Sequence, residues 1–400
     1  MKAHRSDNIV TAAIAAAAVL TGLLIIVVQG GGTAAGGDGP DAGTQEGAEK
    51  VAADGRTAFT TEVMNGHTPV KDQGHTPLCW AYAMLSAIET EHIMRGDSVC
   101  LSVKYAARRV LEERTARYYL TGDRRLMKLR GTGHTLLKAI GQHGVVPYSA
   151  YGDRPDDNFN TLRGGMRQMA AAAPRGKTGL RWLSDRLNEA ADEALGPMPH
   201  RVFMLGAEYT PLEFAHSVCA PGEYVALTSF THHPYYTAVD LEIPDNHDHD
   251  RFFNIPLDTL TAAVERAVRA GHGVCWEGDI SEPGFSFAGG KAVLPGQSDL
   301  SEAARQRAFE HFETTDDHCM AITGLARDGQ GKLYFIMKNS WGTDNPYGGM
   351  MYMSADYLRM KTVAVFMTYA AARTEWWTQG VNRQPQGNAG QPEGNERAAQ

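Results

Sequence analysis

The chain has 400 residues, of which 43% are hydrophobic, and its formal net charge is −8 with a pI near 6.0. This composition can build a sizeable core, either as one large domain or as two ordinary ones. The acidic balance, with no basic patch interleaved with aromatic residues, excludes nucleic acid as the main partner.

The N-terminus departs from the globular pattern. Lys2 and Arg5 precede residues 9–28, an apolar run of 20 residues without a charge, which is about the length of a membrane-spanning helix. Residues 1–30 are therefore predicted to be a membrane anchor, with the rest of the chain outside the cytoplasm. A signal peptide cleaved near residue 35, which would leave a secreted or periplasmic protein, is the alternative.

Two low-complexity stretches flank the globular part. Residues 31–57 are rich in Gly, Ala and Asp and predict a flexible linker. Residues 373–400 are rich in Gln, Gly, Asn and Pro and predict a disordered polar tail. The ordered domain is therefore placed at residues 58–372.

Between these stretches, apolar patterning predicts helices first and strands last. Helices are predicted at 80–95, 101–113, 135–142, 180–195 and 257–270. Short β-leaning runs predict strands at 320–325, 333–337, 349–353 and 363–369. This order predicts an α+β protein with a helical lobe, an antiparallel β lobe and a cleft between them.

The five cysteines include no C-x-x-C pair, which excludes a zinc knuckle and a thioredoxin-like motif. The stretch 246–250 carries metal-ligand residue types, but adjacent residues seldom converge on one ion, so a solvated loop is predicted. His232-His233 is interpreted as structural, and Cys319 as a packing residue beside His318. No metal and no cofactor are predicted.

Cys79 stands where the helix 80–95 begins, after Pro77-Leu78. A cysteine attacks as the thiolate, and the positive end of a helix lowers the pKa of a thiol. Gln73, six residues earlier, offers an amide donor for an oxyanion beside the backbone N–H of Cys79. Taken alone, Cys79 would be interpreted as a small core residue.

Further motifs supply the partners that a cysteine nucleophile needs. His318 stands just before a predicted strand and can act as a base, while Asn339 at a strand end can orient the imidazole. Trp341 can cover the contact between Asn339 and His318 and keep water away. Each residue also has a plain structural interpretation, and their order in the chain favours catalysis.

These motifs resemble those of the papain-like cysteine peptidases: Gln73, Cys79-Trp80, Asp317-His318 and Asn339-Ser340-Trp341-Gly342. About 240 residues separate Cys79 from His318, and this long insertion resembles the bleomycin hydrolase and aminopeptidase C branch. Five further segments share the branch pattern: 68–73, 144–147, 224–236, 254–257 and 276–279. The resemblance covers about residues 59–369.

The resemblance implies a two-lobed papain-like fold with a large helical insertion, and peptide hydrolysis through a thioester. Cys79 would be the nucleophile, His318 the general base and acid, and Asn339 the group that orients His318. Gln73 would help to form the oxyanion hole. Cofactors are not implied.

The resemblance also implies substrate-binding residues. Gly131 and Gly133 stand where relatives carry a Gly-Gly substrate-binding strand, and Asp317 and Trp341 flank the base and its partner. The Pro77-Leu78 pair departs from the family pattern and puts the substrate preference in doubt. In this branch the chain terminus restricts the cleft to free N-termini, whereas this chain continues to Gln400.

An aminopeptidase is therefore the predicted function, acting on peptide substrates and held at the membrane by the N-terminal helix. An endopeptidase of the same chemistry is the first alternative. A catalytically weak, membrane-tethered peptide-binding protein is the second. The sequence leaves a homo-oligomer open.

Overall fold

The computed structural model describes residues 57–204 and 206–373. The predicted anchor at 1–30 lies outside these residues. So do the predicted linker and polar tail, apart from the boundary residues Thr57 and Arg373. Within the described ranges, no helix has both the length and the apolar character needed to cross a membrane.

The described ranges contain helices throughout the first two thirds and strands mainly in the last third. The α-helices are α1 Cys79–Met94, α2 Val103–Thr121, α3 Gly133–His143, α4 Phe159–Ala172, α5 Leu180–Leu195, α6 Pro211–Val218, α7 Leu257–Arg269, α8 Glu302–Glu310, α9 Ala355–Lys361 and α10 Tyr369–Ala372, and a 3-10 turn spans Arg124–Met127. The strands are β1 Thr60–Met64, β2 Val202–Met204, β3 Ala207–Tyr209, β4 Tyr224–Thr228, β5 Thr237–Asp240, β6 Arg251–Asn254, β7 Val274–Gly278, β8 Phe285–Ser286, β9 Lys291–Ala292, β10 His318–Arg327, β11 Leu333–Lys338, β12 Met350–Ser354 and β13 Thr362–Thr368.

Eleven strands form one sheet in the order β5-β6-β4-β13-β7-β10-β11-β12-β9-β8, with β1 paired to β10. Most neighbours are antiparallel, but β4 with β6 and β9 with β12 run parallel. The predicted α+β class is confirmed. The predicted strands after His318 pair antiparallel with their neighbours β11, β12 and β7, and the parallel pairs arise where β6 and β9 of the insertion join the sheet.

Helix α1 is the central helix that the sequence predicted. It has no internal Gly or Pro, and 13 of its 16 residues are buried, including Trp80 at its start. It packs on β10 and β7, so its N-terminus meets the strand that begins with His318. The interface between α1 and the sheet thus brings Cys79 and His318 together, the predicted nucleophile and base.

A buried ion network fastens this interface. Glu89 of α1 accepts hydrogen bonds from the Thr68 hydroxyl and, at 2.7 Å, from the Leu101 backbone N–H. Its carboxylate lies 3.3 Å from Lys71 Nζ and 3.9 Å from Lys338 Nζ of β11. Burial lowers the pKa of Lys338 to about 8, with the Glu89 charge opposing that shift. Glu89 therefore connects helix α1 to the segment that carries Thr68 and Lys71 and to strand β11 of the sheet.

Glu89→Ala is expected to lower the free energy of unfolding by about 3–5 kcal/mol, because it leaves two ammonium groups in the interior with one partner fewer. Urea denaturation followed by circular dichroism measures the change. Glu265→Ala is the matched control, since that carboxylate pairs with Arg269 on the surface, and we expect it to change the free energy by less than about 0.5 kcal/mol. Equal effects of the two variants would contradict a structural role for the network.

Candidate active site

Cys79 is the first residue of α1. The preceding residue, Leu78, provides no side-chain cap, and the first turn carries no acidic residue. The N–H groups of that turn therefore keep the positive end of the helix dipole free to stabilise an anion. Pro77 precedes the helix without costing it a hydrogen bond.

The pKa of the Cys79 thiol lies well below its usual range. A hydrogen bond from the Cys319 thiol is the largest cause, burial opposes it, and His318 adds a hydrogen bond and an opposite charge. The pKa of Cys319 moves the other way, well above its usual range, since its proton is held by the Cys79 sulfur. The sequence interpreted Cys319 as packing; the structure buries it in the same cavity as Cys79, where the two thiols shift each other's pKa in opposite directions.

His318 and Asn339 form the predicted pair. His318 Nε2 lies 2.8 Å from Asn339 Oδ1, and the Ser340 backbone N–H donates to the same oxygen at 2.8 Å. Because Oδ1 accepts both bonds, Nε2 carries the proton. Nδ1 is then the nitrogen available to exchange a proton with Cys79. Both side chains are buried, so the pair is held in place.

Trp341 lies over this pair as the sequence predicted. Its ring centroid is 4.6 Å from that of His318, with a tilt of 35°. Phe285 and Phe287 contact the indole edge at centroid distances of 6.0 and 5.4 Å. This aromatic cover keeps water from the bond between His318 and Asn339.

Gln73 is held beside the same loop. Its backbone N–H donates to the Ser340 carbonyl at 2.8 Å, and its side-chain Oε1 accepts from the Ser340 hydroxyl at 2.6 Å. The amide nitrogen donates to the Thr76 carbonyl at 2.6 Å. A primary amide has two N–H groups, so one remains for a substrate oxygen.

The predicted substrate-binding residues divide into two groups. Gly131 and Asp317 line a small cavity beside Cys79, and Trp341 covers His318 as described. Gly133 does not belong there. It begins α3 inside the core, where a Cβ atom would stand 2.8 Å from the Phe366 ring, so its lack of a side chain serves packing.

Arg130 bridges the two sides of this cavity. Its Nε donates to Asp245 Oδ2 at 2.6 Å, and its terminal nitrogens donate to the backbone carbonyls of Asp316 and, at 3.4 Å, Asp317. Asp316 Oδ2 in turn accepts the Asp245 backbone N–H at 3.1 Å. Arg130 thereby holds together three segments: its own, the loop that contains Asp245, and the residues that directly precede His318.

Three buried acids share the cavity with Arg130: Asp245, Glu277 and Asp316. Burial raises the pKa of Asp316 to about 7, with the Asp245 charge adding to the shift. Burial also raises the pKa of Asp245 and moves that of Glu277 well above its usual range. We call Arg130 and these three acids the acidic pocket.

The acidic pocket was not predicted, although the sequence contains two signals of it. Asp316 directly precedes the Asp317-His318 motif, and Glu277 is the one acid within β7, whose five residues are all buried. Burying an ionisable group in such a strand is costly unless the group is paired, so its presence is a signal of a site. Arg130 and Asp245 carry no comparable signal in the sequence.

One group among the described residues has metal-ligand chemistry: His232, His233 and Glu242. Gln306 Nε2 donates to His232 Nδ1 at 2.8 Å, while Gln306 Oε1 accepts the Thr231 N–H at 2.7 Å, which fixes the amide. His232 Nε2 therefore carries a proton and faces Glu242 at 3.1 Å. That nitrogen cannot ligate a metal in this tautomer.

The stretch 246–250 forms a loop held by ion pairs. Asp248 lies 2.8 Å from Arg117, and Asp250 lies 2.6 Å from Lys138. The side chain of Asn246 donates to backbone and side-chain oxygens of the same region. The predicted loop interpretation accounts for each of these polar groups.

Residues 202–378 match the model of the peptidase C1-like family. Over 81% of this chain and 84% of its own, the structure of PepW from Lactobacillus rhamnosis matches with 16% identity and a TM-score of 0.61. Bromelain from Ananas comosus (14% identity, 76% and 94% coverage, TM-score 0.38) and procathepsin L2 from Tenebrio molitor (17%, 76% and 64%, 0.40) are also similar. TM-scores that low carry no structural argument. No curated protein matches the sequence.

The PepW likeness establishes the fold of the chain. The family match contains His318, the first residue of β10, and Asn339, the residue that follows β11. The two-lobed papain-like fold predicted for the chain is therefore confirmed, and the part of it that carries the paired imidazole and amide matches the peptidase C1-like family.

Proposed function

We propose that this cysteine peptidase is an aminopeptidase that acts outside the cytoplasm. In this proposal Cys79 is the nucleophile and His318 the general base and acid. Asn339 orients the imidazole, and Gln73 with the Cys79 backbone N–H receives the oxyanion. The bond of 2.8 Å between His318 and Asn339, beside an acidified Cys79, supports these roles.

The proposed reaction moves one proton at each step. Cys79 transfers its proton to His318 Nδ1 and its sulfur attacks the peptide carbonyl, whose oxygen becomes an anion held by Gln73. The tetrahedral intermediate collapses when His318 returns the proton to the leaving amine, which gives a thioester. Water, deprotonated by His318, then hydrolyses the thioester and restores the thiol.

The bridge made by Arg130 is the observation that supports an exopeptidase. It crosses from the segment beside Gly131 to the carbonyls of Asp316 and Asp317, the two residues that directly precede His318. A peptide extending through this point would have to displace a guanidinium that also pairs with Asp245. A substrate that ends there with its own N-terminus would not. The apolar run at 9–28 supports display outside the cytoplasm.

The test compares the full chain on aminoacyl fluorogenic amides that have a free or an acetylated N-terminus. We expect kcat/KM to favour the free amine by at least about tenfold. Equal rates, or a preference for blocked peptides, would favour the endopeptidase. Peptide binding without turnover, by a chain that is folded, would favour the peptide-binding alternative.

A further inference from the structure

The acidic pocket contains three carboxyl groups and a single cation, Arg130. Arg130 pairs with Asp245, while Asp316 uses its carboxylate on a backbone N–H. Glu277 is 1% exposed, and its Oε2 has no hydrogen-bond partner among the described residues. A buried carboxylate oxygen without a donor is costly. Glu277 Oε2 is thus an acceptor to which a ligand with an N–H or O–H group can donate.

This acceptor lies next to the reacting atoms. Glu277 lines the same cavity as Cys79 and His318, and it pairs with Cys319 across the ladder between β7 and β10. The register places the carboxylate one residue from the base. A group bound to Glu277 is therefore part of the substrate residue whose carbonyl Cys79 attacks, or a close neighbour of it.

The size of the cavity limits what can bind. The space open to the centre of a water-sized group is about 10 Å³, which is room for about one such group. A primary ammonium has that size, whereas a planar guanidinium does not. Of the charged groups in peptides, the N-terminal α-ammonium and the lysine ε-ammonium fit these limits.

We propose that the acidic pocket binds a primary ammonium group of the substrate, with Glu277 as its direct partner. Two further cations nearby do not compete for this role. Arg130 is engaged by Asp245 and by two carbonyls, and Arg114 donates to the carbonyls of Lys128 and Arg130 at 2.7 Å. This inference rests on the proposed function, because it assigns the pocket to the residue that Cys79 acylates.

The first test measures how Cys79 discriminates between two alkylating reagents of matched shape, 2-bromoethylammonium and 2-bromoethanol. In both, the sulfur–carbon bond forms as the carbon–bromine bond breaks and bromide leaves. The ammonium reagent places its nitrogen as many bonds from sulfur as the α-nitrogen of a thioester intermediate. We expect the wild type to favour the cation and Glu277→Gln to reduce that preference by about 10- to 100-fold.

Glu208→Gln is the matched control, since Glu208 is a half-exposed acid paired with Arg201 on the β2–β3 hairpin. It should keep the wild-type preference. A Cys79 that reacts readily but without preference, or a Glu277→Gln variant that keeps the preference, would overturn the pocket assignment. A Cys79 that reacts with neither reagent would instead contradict the proposed nucleophile. Asp316→Asn provides a second variant if Glu277→Gln does not fold.

The second test identifies the source of the ammonium. Free and acetylated alanyl amides differ at the α-nitrogen, which is an ammonium in the first and a neutral amide in the second. Acetyl-lysyl and acetyl-norleucyl amides differ only in the ε-ammonium of the side chain. If Glu277→Gln no longer distinguishes free from acetylated alanyl amide, the pocket binds the N-terminal ammonium. If it no longer distinguishes the lysyl from the norleucyl amide, the pocket binds the lysine ammonium. Loss of neither distinction, in a variant that turns substrates over, contradicts the proposal.

Discussion

Cys79→Ala is expected to lower kcat/KM by about 10⁶-fold, the loss seen when one member of a catalytic unit is removed. The residue is small and buried at the start of α1, and alanine is a good helix former. Stability should therefore change little, and the loss can be assigned to chemistry. The measurement is turnover of a fluorogenic aminoacyl amide, together with labelling by a tagged epoxide.

Cys219→Ala is the matched control for this experiment. Cys219 is also buried, but burial raises the pKa of its thiol to about 12, so it should neither react nor contribute to turnover. The control is expected to keep wild-type activity and labelling. Equal labelling of wild type and Cys79→Ala would contradict the nucleophile assignment, as would residual turnover within about tenfold of wild type.

Parts of the fold could be predicted because their local signals agree. Helix α5 has the predicted bounds, Leu180–Leu195, since Gly179 and Gly196 stop it at both ends. Helix α1 is correct to within one residue at each end. Strands β4 and β7 were not predicted, because a short strand that is buried on both faces lacks the alternation that distinguishes a strand from a buried helix segment.

The candidate site divides in the same way. Cys79, His318 and Asn339 could be chosen because each stands at the end of an element and beside a motif residue. Cys319, Arg130 and the acids of the acidic pocket depend on sheet register and on where the insertion returns to the cleft. No spacing in the sequence encodes those distances, so the chemistry was predictable and the recognition of substrate was not.

His318→Ala is expected to lower kcat/KM by about 10⁵- to 10⁶-fold, because both proton transfers lose their carrier. It should also move the alkylation profile of Cys79 to higher pH. A thiol whose pKa is depressed is reactive above that pKa, and His318 contributes to the depression through a hydrogen bond and a charge. Without the imidazole, the pKa rises and alkylation at pH 6 slows.

This shift should be partial, because the Cys319 thiol still donates to the Cys79 sulfur and is the larger cause of the depression. His249→Ala is the control, since His249 pairs with Asp240 on the surface. Rates of iodoacetamide alkylation between pH 4 and 10 provide the measurement. A profile that stays at the wild-type position in His318→Ala would show that the imidazole does not act on Cys79, and it would leave Cys319 as the group that holds the thiolate.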